Sequence, residues 1–382
     1  MRFSTFVFRN VLRRRIRSTL TMTGMAVAVT AVVALVGLAD GLSKSMEKLY
    51  VDRGVSLIVT RADSVSPLSV TIPAKVATAI EQLDGVAATC AGLVDFVPIE
   101  EFGEPVGVQG WPPGNYMFDE LKILSGDNLS DKDPASKNVV VGTTLAEVKK
   151  AHVGQTITIS DEKFHIVGIF KTSQDIENSM VIMYLSDAQK ALGKKGMMTG
   201  CTVKAKDTSE EGIARVRAQI EGPLAETCGL KGKLRAKVPG EFVKENKQVG
   251  YAKAFALMTS AVALFIGFIG VLNTMFMSVF ERTREIGILR AIGWGPSRVM
   301  RMILLESVLL SIGGGIVGTL GGLGLIKLLS HLPTVNGVVQ AAISADIVVK
   351  GFAIAIIVGL IGAAYPAYRG SRLLPTEALR HE

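Results

Sequence analysis

The sequence predicts an α-helical membrane protein with four transmembrane helices and an α+β extracytoplasmic domain inserted between helices 1 and 2. Four long runs carry no charged residue, arginines cluster beside particular ends of those runs, and the one long interval alternates β-rich and helical pieces. The chain of 382 residues is 48% hydrophobic and 20% charged, with a mean hydropathy of +0.38, as expected for membrane segments joined to a soluble domain. Its net charge of +8 is unevenly placed. Residues 40–252 hold 25 Lys and Arg against 28 Asp and Glu, and the rest of the chain holds 17 against 6. Basic residues beside apolar spans set membrane topology, so the lipid bilayer is an expected partner and nucleic acid is not.

A basic leader, residues 1–17, contains Arg2, Arg9, Arg13, Arg14, Arg15 and Arg17, and residues 18–39 carry no charge. The first transmembrane helix is expected at 18–41. Its apolar run exceeds the roughly 7–15 residues of a signal peptide, and cleavage would leave three spans whose arginine-rich flanks could not share one side. Three more uncharged runs, 254–280, 307–326 and 351–368, place helices at 251–280, 302–326 and 347–368. Arginines precede span one, fill the connector 281–301 and recur in the tail 369–382, whereas the loop 327–350 has only Lys327 and Lys350 as Lys or Arg. Both termini are therefore expected on the cytoplasmic side and residues 42–250 outside.

The outside segment is long enough for its own core. Strands are expected at 55–59, 86–97, 139–141, 156–160, 164–170, 181–184 and 201–204, which are rich in β-branched and aromatic residues. A helix is expected at 72–83, with Pro73 in its first turn. Three more, at 144–150, 186–192 and 208–220, open with capping-box patterns: Thr144 with Glu147, Ser186 with Gln189, and Thr208 with Glu211. Residues 241–258 carry helix formers without proline, so span two is expected to extend outward as a stalk.

The connector 281–301 holds Arg282, Arg284, Arg290, Arg298 and Arg301 around a Gly-Trp-Gly-Pro break. Each arginine costs roughly 2.5–3.5 kcal/mol at a bilayer centre, so the segment lies outside the hydrocarbon. Ile286, Leu289 and Gly293 share a helical side, Glu281 is spaced to pair with Arg284 and Glu285 with Arg282, and Pro296 opens a second helix. A short amphipathic helix at the membrane face and a solvated topology-setting loop both fit these residues.

Gly313, Gly315 and Gly318 spell a dinucleotide-binding pattern, but inside an apolar span; close helix packing through Gly314, Gly318 and Gly322 explains them better. The scattered histidines and the three cysteines, Cys90, Cys201 and Cys228, have no metal-site spacing, and a disulfide between two of the cysteines is as compatible with the sequence as three free thiols. No G-x-x-x-x-G-K-[ST] loop or nucleophile-elbow motif occurs, so neither a catalytic site nor a cofactor is expected in this chain, and energy from nucleotide must arrive through a partner. The spans lack ionisable groups between their ends, which suits a transmission element more than a solute pore; Asn273 is expected to hydrogen-bond between helices.

The connector, R-T-R-E-I-G-I-L-R-A-I-G at 282–293 with an acidic Glu306 after it, resembles the cytoplasmic segment of MacB/FtsX-type ABC transporter permeases. The basic residues 9–20, the P-A-Y-R-G-S-R-L-L-P-T-E-A-L-R tail at 366–380, and residues 139–146 and 164–170 resemble further parts of that family, while Trp294, Gly295 and Pro296 depart from its commoner pattern. The resemblance implies a permease subunit in a bacterial cytoplasmic (inner) membrane. It would form a dimer with a second permease copy or homologue and bind a cytosolic ABC ATPase that carries the ATP, with a membrane-fusion protein as a candidate third partner. It further implies that Arg282, Arg284, Glu285, Ile286, Leu289, Arg290 and Gly293 form the ATPase-coupling helix. ATP hydrolysis would then change the shape of the external domain, for export or extraction of a substrate. The alternative within the resemblance is an FtsX-like regulator that switches on a cell-wall hydrolase without transport.

Overall fold

The structure, a computed structural model, describes residues 15–62, 70–129, 137–174, 176–330 and 345–373. Most of the basic leader, the loop 331–344 and the tail motif from residue 374 onward lie outside them. The chain forms two compact units, divided at Asp40/Gly41 and Tyr251/Ala252.

Helices α1 (Arg15–Val51), α9 (Lys247–Glu281), α11 (Pro296–Ser330) and α12 (Ala345–Ser371) are each long and apolar enough to cross a membrane. At 1.5 Å per residue α9 measures about 52 Å, against about 30 Å of hydrocarbon. It does not run on from residue 241 as expected. Asn246 leaves helical geometry, and its Oδ1 accepts from the Gln248 N–H at 2.9 Å, capping a separate start.

Glycine makes the helix contacts of the first unit. A Cβ on Gly314 would meet Met25 Cβ at 2.8 Å, on Gly318 the Ala26 carbonyl at 2.6 Å, and on Gly322 Val33 Cβ at 2.7 Å, so all three line the face of α11 that receives α1. Thr30 Oγ1 donates to the Gly318 carbonyl at 2.9 Å across this contact. Gly315 faces Ala355 of α12 instead, and Gly313 meets Met22, so the dinucleotide-like spacing is spent on helix packing. Asn273, expected between helices, is exposed on α9 and makes no hydrogen bond among the described residues. It lies on the outward face of the helix whose apolar window is buried least of the four, so no neighbouring helix reaches it.

In the second unit, ten strands among the described residues form one sheet, in the order β12-β1-β11-β3-β4-β9-β6-β8-β5 with β7 against β3 and β8. They are β1 (Leu57–Arg61), β3 (Val86–Ile99), β4 (Glu104–Trp111), β5 (Lys122–Gly126), β6 (Asn138–Gly142), β7 (Thr156–Ile159), β8 (Glu162–Lys171), β9 (Met180–Tyr184), β11 (Gly200–Ala205) and β12 (Leu234–Lys237). The long β3 is its spine, pairing β11 through Ala88 to Gly92 and β4 through Leu93 to Ile99. The central strands are buried on both faces, which explains their unbroken apolar runs. Val139, Val141, Val181 and Met183 enter the larger core, while Val140, Ile182 and Tyr184 enter the second with Trp111 and Phe118. Trp111, Phe118 and Tyr184 meet edge to face at 5.3 and 5.7 Å.

The expected helix at 72–83 is corrected at its start. Ile72 and Pro73 form β2, which pairs with β10 (Met197–Met198), and helix α2 spans only Lys75–Glu81. Ile72 is fully buried opposite Met198, and that contact outweighs a helical first turn. The first two capping boxes are also absent. Helices α4 (Thr143–Lys149) and α5 (Leu185–Ala191) start directly from strands, capped by Gly142 and Tyr184 without a side-chain bond; at Gly142 a Cβ would stand 2.3 Å from the Asn178 carbonyl. In α6 (Glu210–Gln219) the cap is Ser209, one residue later than expected, with its Oγ accepting from Gly212 N–H at 3.1 Å.

Just after α1, Arg53 is buried against Glu177. Its Nη1 donates to Oε1 at 2.9 Å, its Nη2 engages the other oxygen, and its Nε is 3.3 Å from Glu120. This forked pair fixes the first residues of the second unit to the turn at Glu177–Ser179. The cysteines are free. Cys90 stands opposite Thr202 and Cys201 opposite Ala91, so the two thiols point to opposite faces of the sheet and cannot join. Burial pushes the Cys201 thiol up to about 12 and raises that of Cys90 as well, so both stay protonated and inert.

Candidate functional site

The connector breaks at one residue. α9 ends at Glu281, Arg282 leaves helical geometry, and α10 runs Thr283–Ala291. Thr283 Oγ1 donates back to the Phe280 carbonyl at 2.8 Å, satisfying the end of α9. Arg282 turns inward, and its Nη1 donates to Glu306 Oε2 on α11 at 2.6 Å, with the two side chains 7% and 8% exposed. The expected local pairs are therefore corrected. Arg282 takes Glu306 in place of Glu285, because the inward turn carries it away from the exposed Glu285, and Glu281 is held by Arg17 of α1.

Ile286 is buried in the core of the first unit and Leu289 packs partly against it, so these two fasten α10 from beneath. Gly293, at φ +100°, ends the helix in a conformation that L side chains rarely adopt, and its N–H donates to the Arg290 carbonyl at 3.0 Å. Arg290 is half-buried, with Nη1 3.4 Å from the Trp294 carbonyl, so it steadies the turn. Pro296 opens α11 as expected. Arg298 stacks over the Trp294 ring at 5.3 Å.

The outer face consists of Arg284, Glu285, Ile288, Ala291 and Ile292, followed by Arg298 and Arg301, all exposed. Ile288 and Ile292 are 44% and 74% exposed, one turn apart. Neither stands in the coupling set that the family resemblance implies. Their signal was the second apolar stripe of α10, offset from Ile286 and Leu289. The structure thus divides the proposed coupling set, with Arg282, Ile286, Leu289 and Arg290 supporting the helix and Arg284, Glu285 and Gly293 on its outside. A short apolar ridge framed by arginines, on a helix anchored by a buried ion pair, is suited to the groove of another protein.

The family model for the MacB-like periplasmic core domain matches residues 18–222, and that for the FtsX-like permease C-terminal region matches residues 257–375. An uncharacterized ABC transporter permease of Methanocaldococcus jannaschii is 30% identical over 99% of this chain and 97% of its own length. The uncharacterized ABC transporter permease YknZ of Bacillus subtilis is 25% identical over 98% of this chain and 97% of its own. The macrolide export ATP-binding/permease protein MacB of Bdellovibrio bacteriovorus is 24% identical over 98% of this chain, which spans only 61% of that longer protein. Among solved structures, the periplasmic region of MacB from Actinobacillus actinomycetemcomitans aligns with 51% of this chain and 95% of its own at 13% identity, with a TM-score of 0.41. With matches to both domain models and a relative aligned along nearly its whole length, the chain belongs to the MacB/FtsX-type family of ABC transporter permeases.

Proposed function

We propose that this chain is the membrane subunit through which a separate cytosolic ABC ATPase, which binds the ATP, drives conformational change in the domain at 42–250. Work is then done on a substrate outside the cytoplasmic membrane, for its export or extraction, by a dimer of this chain with a second copy or a homologue. A membrane-fusion protein would extend the path, and both termini would face the ATPase.

The observation that carries this proposal is the exposed Ile288/Ile292 ridge among Arg284, Arg298 and Arg301. A segment this basic stays out of lipid, and its apolar ridge gains by covering from protein. The Arg282–Glu306 pair ties the start of the connector to α11, α10 packs against α12, and Ile286 sits in the bundle's core, so a push on the ridge reaches the helix bundle.

The test is the ATPase activity of the complex purified with the full chain. Carrying Ile288→Asp and Ile292→Asp together, the chain should stimulate its ATPase about tenfold less than wild type, the loss expected for a central apolar contact. Membrane insertion and thermal stability should stay unchanged, since neither side chain is buried in this chain. Full stimulation by the double variant would refute the contact.

A further inference from the structure

We propose that the cavity between the ends of α9 and α12 binds the phosphate headgroup of an anionic phospholipid. The cavity has a volume of about 520 Å³, within the roughly 300–1,000 Å³ of small-ligand sites. Arg284 and Arg369 line it, both exposed, and neither has a carboxylate partner among the described residues. The acidic wall residue, Glu281, is already held by Arg17, which leaves the cavity positively charged. Apart from Thr283, its other walls are apolar, chiefly Phe276, Phe280, Val279 and Leu373. Phe276 meets Tyr365 at 5.4 Å, continuing an aromatic surface along α9 and α12.

Two guanidinium groups beside an aromatic wall match a molecule with a phosphate at one end and hydrocarbon at the other. Guanidinium forms forked hydrogen bonds to phosphate, and acyl chains cover aromatic surface that would otherwise meet water. Arg284 follows the end of α9 and Arg369 lies in the last turn of α12, where a span leaves the hydrocarbon, and basic pockets between spans at that level suit anionic headgroups. The inference rests on the topology proposed above, but not on the ATPase contact, which is carried by the Ile288/Ile292 ridge and shares only Arg284 with the cavity. Failure of one therefore leaves the other standing.

The test is native mass spectrometry of the full chain released from nanodiscs containing equal amounts of phosphatidylglycerol and phosphatidylcholine. Wild type should retain phosphatidylglycerol preferentially, and the Arg284→Gln/Arg369→Gln variant should retain it about tenfold less. Arg284→Lys/Arg369→Lys should restore part of the preference. Equal retention of the two lipids, or an unchanged double variant, would overturn the proposal. So would competition by inorganic phosphate as strong as that by the lipid, which would identify a free-anion site, and so would an increase in binding on deletion of residues 374–382, which would make the tail the native occupant. Should the arginine variants misfold, Phe280→Trp gives a second measurement, with the signal of Trp111 and Trp294 in the wild-type chain subtracted. Its fluorescence should be quenched more by brominated phosphatidylglycerol than by brominated phosphatidylcholine, and equal quenching would contradict the site.

Discussion

Arg282→Met destabilises the helical unit by about 3–5 kcal/mol, because it leaves the carboxylate of Glu306 buried without its partner. Glu306→Leu, which strands the guanidinium, costs a similar amount. The pair earns this weight from burial, with side chains 7% and 8% exposed and a 2.6 Å contact between them. An exposed pair at that distance would contribute no more than about 1 kcal/mol. The double variant Arg282→Met/Glu306→Leu removes both charges and should recover most of the loss, since apolar groups can replace a buried ion pair at little net cost. Thermal unfolding in detergent measures all three. Single variants as stable as wild type would show that water reaches the pair.

The second large effect falls on the packing of α1 against α11. Gly318→Val should cost about 3 kcal/mol, because its Cβ would stand 2.6 Å from the Ala26 carbonyl and 2.8 Å from Val29 Cβ. The first of these contacts is backbone, so no side-chain rotation relieves it and the helices must separate. Gly324→Ala on the same helix is the control. Nothing lies within 4 Å of its added methyl, and alanine favours helix by up to about 1 kcal/mol over glycine. Equal melting temperatures for Gly318→Val and Gly324→Ala would contradict the packing described here.

Much of this architecture was legible in the sequence for physical reasons. A run of about twenty uncharged residues has few alternatives to a membrane span, and strands buried on both faces announce themselves as continuous apolar runs. β4 carries Pro105, Gly107 and Gly110, which interrupt the β-branched and aromatic runs that mark the other strands. Gly110 serves a tertiary contact: a Cβ there would be 2.6 Å from Ala188 on α5, an approach that no local pattern encodes. In the connector, periodicity marks one apolar side, Ile286, Leu289 and Gly293; burial places Ile286 in the bundle and shows a second apolar pair, Ile288 and Ile292, left outside. The Arg282–Glu306 pair was out of reach of three-residue spacing rules, since its partners are brought together only by the turn between α10 and α11.

The central claim, that this outer ridge meets an ATPase, is tested most directly by photo-crosslinking from position 292. A benzophenone amino acid in place of Ile292 needs no other change, since that side chain is the most exposed of the ridge. Irradiated in membranes of the native host and analysed by mass spectrometry, it should capture a chain with a phosphate-binding G-x-x-x-x-G-K-[ST] loop, and the same probe at the buried Ile286 should not. Crosslinks from 292 that reach only lipid or this chain itself would contradict the account.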